Sequence, residues 1–93
     1  MGRKPGRLAP GDSRVVLNLG LAYFKEDDYR HALPLFARLR RTDGTNLQAL
    51  NLLATCQIYT GQERAAIGLL SAAVRQRPNP ASLYLLGVAC ARS

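Results

Sequence analysis

The stretch LQALNLLATCQIYTGQERAAIGLLSAAVRQRP, residues 47–78, decides how this chain is read. Its apolar residues recur at three- and four-residue spacings on both sides of Gly61, and Pro78 closes it. That spacing predicts two helices. One runs over about 46–60, capped by Thr45 and ended by Gly61; the other runs over about 62–76 and is stopped by Pro78. Small residues at Ala54 and Ala66 let the pair lie close and antiparallel, with Leu53 and Leu70 filling the space between.

The same device recurs along the chain. Leu19-Gly20 precedes Leu53-Ala54 by 34 residues, Ala32 precedes Ala66 and Phe36 precedes Leu70 by the same interval, and Leu86-Gly87 follows by 33. A helix is expected over about 13–26 with Asp12 or Ser13 as cap, and another over about 29–41 capped by Asp28. Pro34 removes the bond to the carbonyl of Arg30 and is expected to kink the latter. A fifth helix starts near Pro80 with Asn79 as its cap. Leu19 and Phe36 should fill the first helical pair. Leu83 and Leu86 should pack on the second, leaving the face around Cys90 and Leu85 uncovered.

Ninety-three residues make one domain at most, and 47% hydrophobic with 6% aromatic residues suits an Ala/Leu-rich helical protein. No run approaches the ~18 consecutive apolar residues of a membrane span. The opening MGRKPGRLAPGD is basic and rich in Gly and Pro, and no apolar segment follows it. It reads as a flexible tail over 1–12 and not as a secretory signal. Gly6 stands where a myristoylation start needs Ser or Thr. Arg3, Lys4 and Arg7 of this tail supply three of the seven net positive charges. Cys56 and Cys90 have no CxxC spacing and no neighbouring His, so two buried, reduced thiols in a cytoplasmic protein are expected.

The interval and its residues resemble the tetratricopeptide repeat, W-x2-L-G-x2-Y, then A-x3-F, then P. The first copy reads Val16-x2-Leu19-Gly20-x2-Tyr23 with Tyr29, Ala32 and Phe36; the second reads Leu50-x2-Leu53-Ala54 with Gly61, Ala66, Leu70, Ala73 and Pro78. A third opens with Leu83-x2-Leu86-Gly87-x2-Cys90. The chain departs from the pattern at Gln57, which replaces a Tyr, at Gly44, which replaces a Pro, and in having no Trp. The resemblance implies an all-α, right-handed solenoid over residues 13–93, with repeats at about 13–46 and 47–79 and one further helix at 80–93. LLATCQIYTGQERAAIGLLSAAV with LLGVACA is also similar to the bacterial type III secretion chaperones built from these repeats. That likeness implies a bacterial chaperone binding hydrophobic segments of an export substrate.

Catalysis has little to stand on. His31 is the only histidine and is expected on a helix surface, and Glu26-Asp27-Asp28 falls where carboxylates cap a helix. No glycine-rich phosphate loop, cofactor motif or metal-ligand cluster is present in the sequence, so a non-enzymatic protein is expected. The resemblance implies instead a concave groove lined by the first helix of each repeat. Carried over, its positions are Arg14, Leu17, Asn18, Leu21 and Phe24; Gln48, Asn51, Leu52, Thr55 and Ile58; and Tyr84, Leu85 and Val88. So apolar a patch suits an apolar or amphipathic peptide or helix, with the amides of Asn18 and Asn51 holding its backbone, although some members should pack between helices. The Lys, Asn and Arg clamp that some relatives use for chaperone tails is replaced by Leu17, Leu21, Leu52, Ala81 and Leu85. A competing reading places Arg38, Arg40, Arg41, Arg64, Arg75 and Arg77 on a basic convex stripe for RNA, but without interleaved aromatics for base stacking. Terminal repeats normally carry a polar outer face, which the last helix lacks, so either the chain is part of a longer protein or self-association through that face is expected.

Overall fold

The computed structural model describes residues 12–93 as five consecutive helices: α1 (Ser13–Lys25), α2 (Tyr29–Thr42), α3 (Leu47–Tyr59), α4 (Glu63–Gln76) and α5 (Pro80–Arg92). Of the tail expected over 1–12, only Asp12 lies within the described residues.

Four helices begin on a side chain that takes up an orphan backbone N–H. Asp12 accepts from Arg14 N, Asp28 from His31 N, Asn46 from Ala49 N and Asn79 from Ser82 N. Asn46 therefore caps α3, where Thr45 was expected. Thr45 instead donates its hydroxyl to Asp43 Oδ1 at 2.7 Å, bracing the preceding turn. The α1–α2 and α3–α4 turns each need one residue in the left-handed region, Asp27 (φ 59°) and Gly61 (φ 81°), at equivalent repeat positions. Glycine adopts it freely; Asp27 tolerates it with a short polar side chain that accepts a hydrogen bond from the Tyr29 hydroxyl at 3.0 Å. Helix α2 runs unbroken from Tyr29 to Thr42 with Pro34 inside it. The carbonyl of Arg30 that Pro34 leaves without an amide partner belongs to an exposed residue, where water can reach it.

Each helix packs on its neighbours in sequence, and α3 also touches α5. Two apolar clusters result. Val16, Ala32, Phe36, Leu39, Ala49, Leu53 and Cys56 join α1, α2 and α3; Leu50, Ala54, Ile58, Ala66, Leu70, Ala73 and Ala89 join α3, α4 and α5. Helix α3 serves both, turning Ala49, Leu53 and Cys56 one way and Leu50, Ala54 and Ile58 the other. This is the one-dimensional packing of a helical repeat, in which each unit completes the core of the next. Gly20 is the point of closest approach: a Cβ there would stand 2.7 Å from the Phe36 ring.

Three expectations are corrected by this arrangement. Leu19 is 46% exposed although its equivalent Leu53 is 6% exposed. Leu53 faces the preceding helical pair, and α1 has no such pair among the described residues. Leu83 is 49% exposed, whereas its equivalents Val16 and Leu50 are buried. Those two face the second helix of their own repeat, which α5 lacks among the described residues. Cys90, expected as a buried thiol but also on an uncovered face, is exposed for the same reason.

Candidate functional site

The residues assigned to the groove divide into two sets. Leu17, Leu21 and Phe24 of α1 and Leu52 of α3 are half-buried, each packed against the first cluster. Leu85 and Val88 are half-buried against the second cluster. Asn18 and Gln48 are exposed, and Tyr84 stands 72% exposed on α5. Arg14 pairs with Asp12 at its own helix start, 3.3 Å from Nη2 to Oδ2.

Ile58 stands apart from these residues. It is 1% exposed, packed in the second cluster with Ala54, Leu70 and Ala89, because α5 lies over it. Asn51 and Thr55 are half-buried and already engaged. The Thr55 hydroxyl donates to the Asn51 carbonyl at 2.8 Å, and Asn51 Oδ1 accepts from Ser82 Oγ at 2.7 Å. Ser82 is fully buried, so this bond satisfies a polar group that would otherwise be costly to enclose and fixes α5 on α3.

Two features escaped the sequence reading. The first is a row of rings at the end of the array formed by the α1–α2 and α3–α4 turns. Phe24 meets Phe36 and Tyr29 edge-on at 6.1 and 5.4 Å, Tyr29 stacks on Tyr59 at 4.8 Å, and the Arg92 guanidinium lies 5.2 Å from the Tyr59 centroid. Tyr59 and Arg92 stand 33 residues apart, one repeat, which was the available signal. The second is a cleft of about 460 Å³ at the opposite end, with Thr45, Asn46 and Arg77 alongside Leu47, Leu50 and Ala73.

His31 is exposed, its Nδ1 2.9 Å from Asp28 and its ring stacked on Tyr23 at 5.2 Å; the hydrogen bond from His31 holds the Asp28 carboxyl below its ordinary value. Among the described residues no cluster of His, Cys, Asp or Glu could hold a metal ion, and no helix is long and apolar enough to cross a membrane.

Burial pushes the Cys56 thiol up to about 12 from 9.0. Raising a thiol's value in the folded state favours its neutral form. The associated stability is therefore complete below pH ~9 and lost as pH rises toward 12, at about 1.4 kcal/mol per unit. A thiol reagent at neutral pH is expected to titrate one cysteine, Cys90, in the native protein and both in denaturant. Mass spectrometry of the labelled peptides checks which thiol reacts. Labelling of Cys56 in the native state would show that the first cluster opens.

The model of the tetratricopeptide repeat family matches residues 23–88. The chain belongs to the tetratricopeptide repeat family. Repeats of this family mediate protein–protein interaction, and the packing of α1–α5 is that of a tetratricopeptide solenoid. The chain is 31% identical over 68 residues to mouse trafficking protein particle complex subunit 12, an alignment covering 73% of this chain and 8% of that protein. It therefore spans a small fraction of that relative's length. No solved structure matches the chain.

Proposed function

We propose that this chain is a non-enzymatic interaction module that holds an apolar or amphipathic peptide or helix on the face formed by α1, α3 and α5. The observation that carries it is that Leu17, Leu21 and Phe24 of α1 and Leu52 of α3 pack against the first cluster yet remain only partly buried. Asn18 and Gln48, on the same two helices, are exposed. With Asn51 Oδ1 turned to Ser82, the Nδ2 group is the part of Asn51 suited to a ligand carbonyl. Membership of an interaction-repeat family supports a protein partner, as does similarity to a subunit of a multiprotein complex.

The test is Leu21→Glu combined with Leu52→Glu. The expected result is loss of partner capture, at least tenfold in affinity, with helicity by circular dichroism unchanged. Capture that survives the double substitution would reject this face. The same capture assay measured at two salt concentrations separates peptide binding from the RNA alternative, for which affinity would fall steeply with salt. A single export substrate recovered from a bacterial source would narrow the reading to a secretion chaperone.

A further inference from the structure

Ser82 is the one buried polar residue among those described, hidden where α5 meets α3. Its amide N–H is taken by the Asn79 cap, and its hydroxyl makes a single hydrogen bond, donating to Asn51 Oδ1 at 2.7 Å. That bond decides which way the Asn51 amide faces. Turned over, Asn51 would offer Nδ2, which can only donate, and the Ser82 hydroxyl proton would be enclosed without an acceptor. The oxygen is therefore held toward α5, and the NH2 group is turned away from it. Among the described residues Nδ2 has no hydrogen-bond partner, and unlike Gln57 Oε1 it is not enclosed. The surroundings are neutral. Helix α3, LQALNLLATCQIY, has no charged residue, and in α1 and α5 the charges sit near the ends, at Arg14, Lys25 and Arg92. Gln48 and Thr55 stand about one turn to either side of Asn51 on the same side of α3. A donor in such a setting suits an uncharged acceptor.

We propose that Ser82 is a positioning residue: by fixing Asn51 Oδ1 it aims the Nδ2 donor at a free backbone carbonyl of an extended, apolar partner segment. This inference rests on the groove reading given above and narrows it. In a helix all but the last four carbonyls are bonded internally, so an extended segment is the form that has a carbonyl to offer wherever it passes Asn51. An amide held in place before the partner arrives also removes part of the ordering cost of binding. The lock lies on α5 and the donor on α3, so docking of α5 and capture of the segment favour each other.

The probe is a fluorescent peptide of alternating leucine and proline, which is extended, apolar and rich in unbonded carbonyls. Asn51→Asp keeps an acceptor for Ser82 and exchanges the outward donor for a second acceptor. At neutral pH it is expected to weaken probe binding at least tenfold, with hydrogen-exchange protection of α5 unchanged. As the pH falls toward ~4 the new carboxyl takes up a proton and becomes a donor again, so binding should recover, while that of the native protein stays level. The Asn51 side-chain amide should be rigid in nitrogen-15 relaxation, with an order parameter near ~0.85, and should fall below ~0.6 in Ser82→Ala. No probe binding, equal affinity of Asn51→Asp at neutral pH, no recovery on acidification, or an Asn51 amide equally mobile with and without the Ser82 hydroxyl would each overturn the proposal. Probe binding that Leu21→Glu with Leu52→Glu abolishes but Asn51→Asp leaves intact would overturn it alone and keep the groove. Binding that survives the double leucine substitution would overturn both.

Discussion

Phe36→Ala should destabilise the chain by about 3–5 kcal/mol, a loss comparable to the whole folding free energy of a small domain. Phe36 is fully buried, contacts Gly20 on α1 and meets Phe24 edge-on, so its removal leaves a void that three helices share. Urea denaturation should show a midpoint shifted far downward, or no cooperative transition at 37 °C. A sharper form of the test uses the second repeat as a guide. There the Gly20–Phe36 pair is replaced by Ala54–Leu70, smaller ring space exchanged for a larger neighbour. Gly20→Ala alone forces a Cβ into the ring and should cost about 1–3 kcal/mol, and Phe36→Leu alone leaves a gap. Combined, they should recover at least ~1 kcal/mol of the summed loss, since contacting residues couple. Simple additivity would mean that the two sites do not share one space.

Ala89→Glu should release α5 while α1–α4 stay folded. Ala89 is packed against α3 and α4 and hidden from solvent, so a carboxylate there is buried without a partner and costs several kcal/mol. Because α5 touches only α3 and α4, the damage has a boundary. Hydrogen exchange should show rapid exchange across residues 80–92 with protection kept in α1–α4. The Asn51–Ser82 bond breaks with it, so Asn51→Ala should loosen α5 in the same direction by a smaller amount, about 1 kcal/mol. Exchange that rises evenly over the whole chain would show a single folding unit instead.

The fold was largely legible because the repeat interval fixes which residues face each other, and the periodic pairs Gly20–Phe36 and Ala54–Leu70 land where it places them. What the interval could not convey is position within the array. Leu19 and Leu53 are equivalent by sequence, yet one meets solvent and the other meets a preceding helix. The same holds for Leu83 against Leu50. Equivalence in sequence assigns a direction, and the neighbours in that direction decide burial. Of the residues assigned to the groove, Leu17, Leu21, Phe24 and Leu52 border the first cluster, whereas Ile58 lies inside the second. Asn51 turns to a buried serine 31 residues away, a bond that no spacing rule contains. At Gln57, the departure from the family pattern has a visible consequence, for its Oε1 is buried without a hydrogen-bond partner. Thr45 and Asn46 are both good caps, and the choice fell to the one whose side chain could reach the amide of Ala49.

The row of rings joining α2, α3 and α5 gives this chain an optical signature. With no tryptophan, its near-ultraviolet spectrum belongs to four tyrosines and two phenylalanines. Tyr29 and Tyr59, stacked at 4.8 Å, lie on different helical pairs, and the guanidinium of Arg92 at the end of α5 lies over the Tyr59 ring. Tyrosine circular dichroism and fluorescence therefore read the seams between repeats directly. A ligand that bends or straightens the solenoid reports itself there without any label.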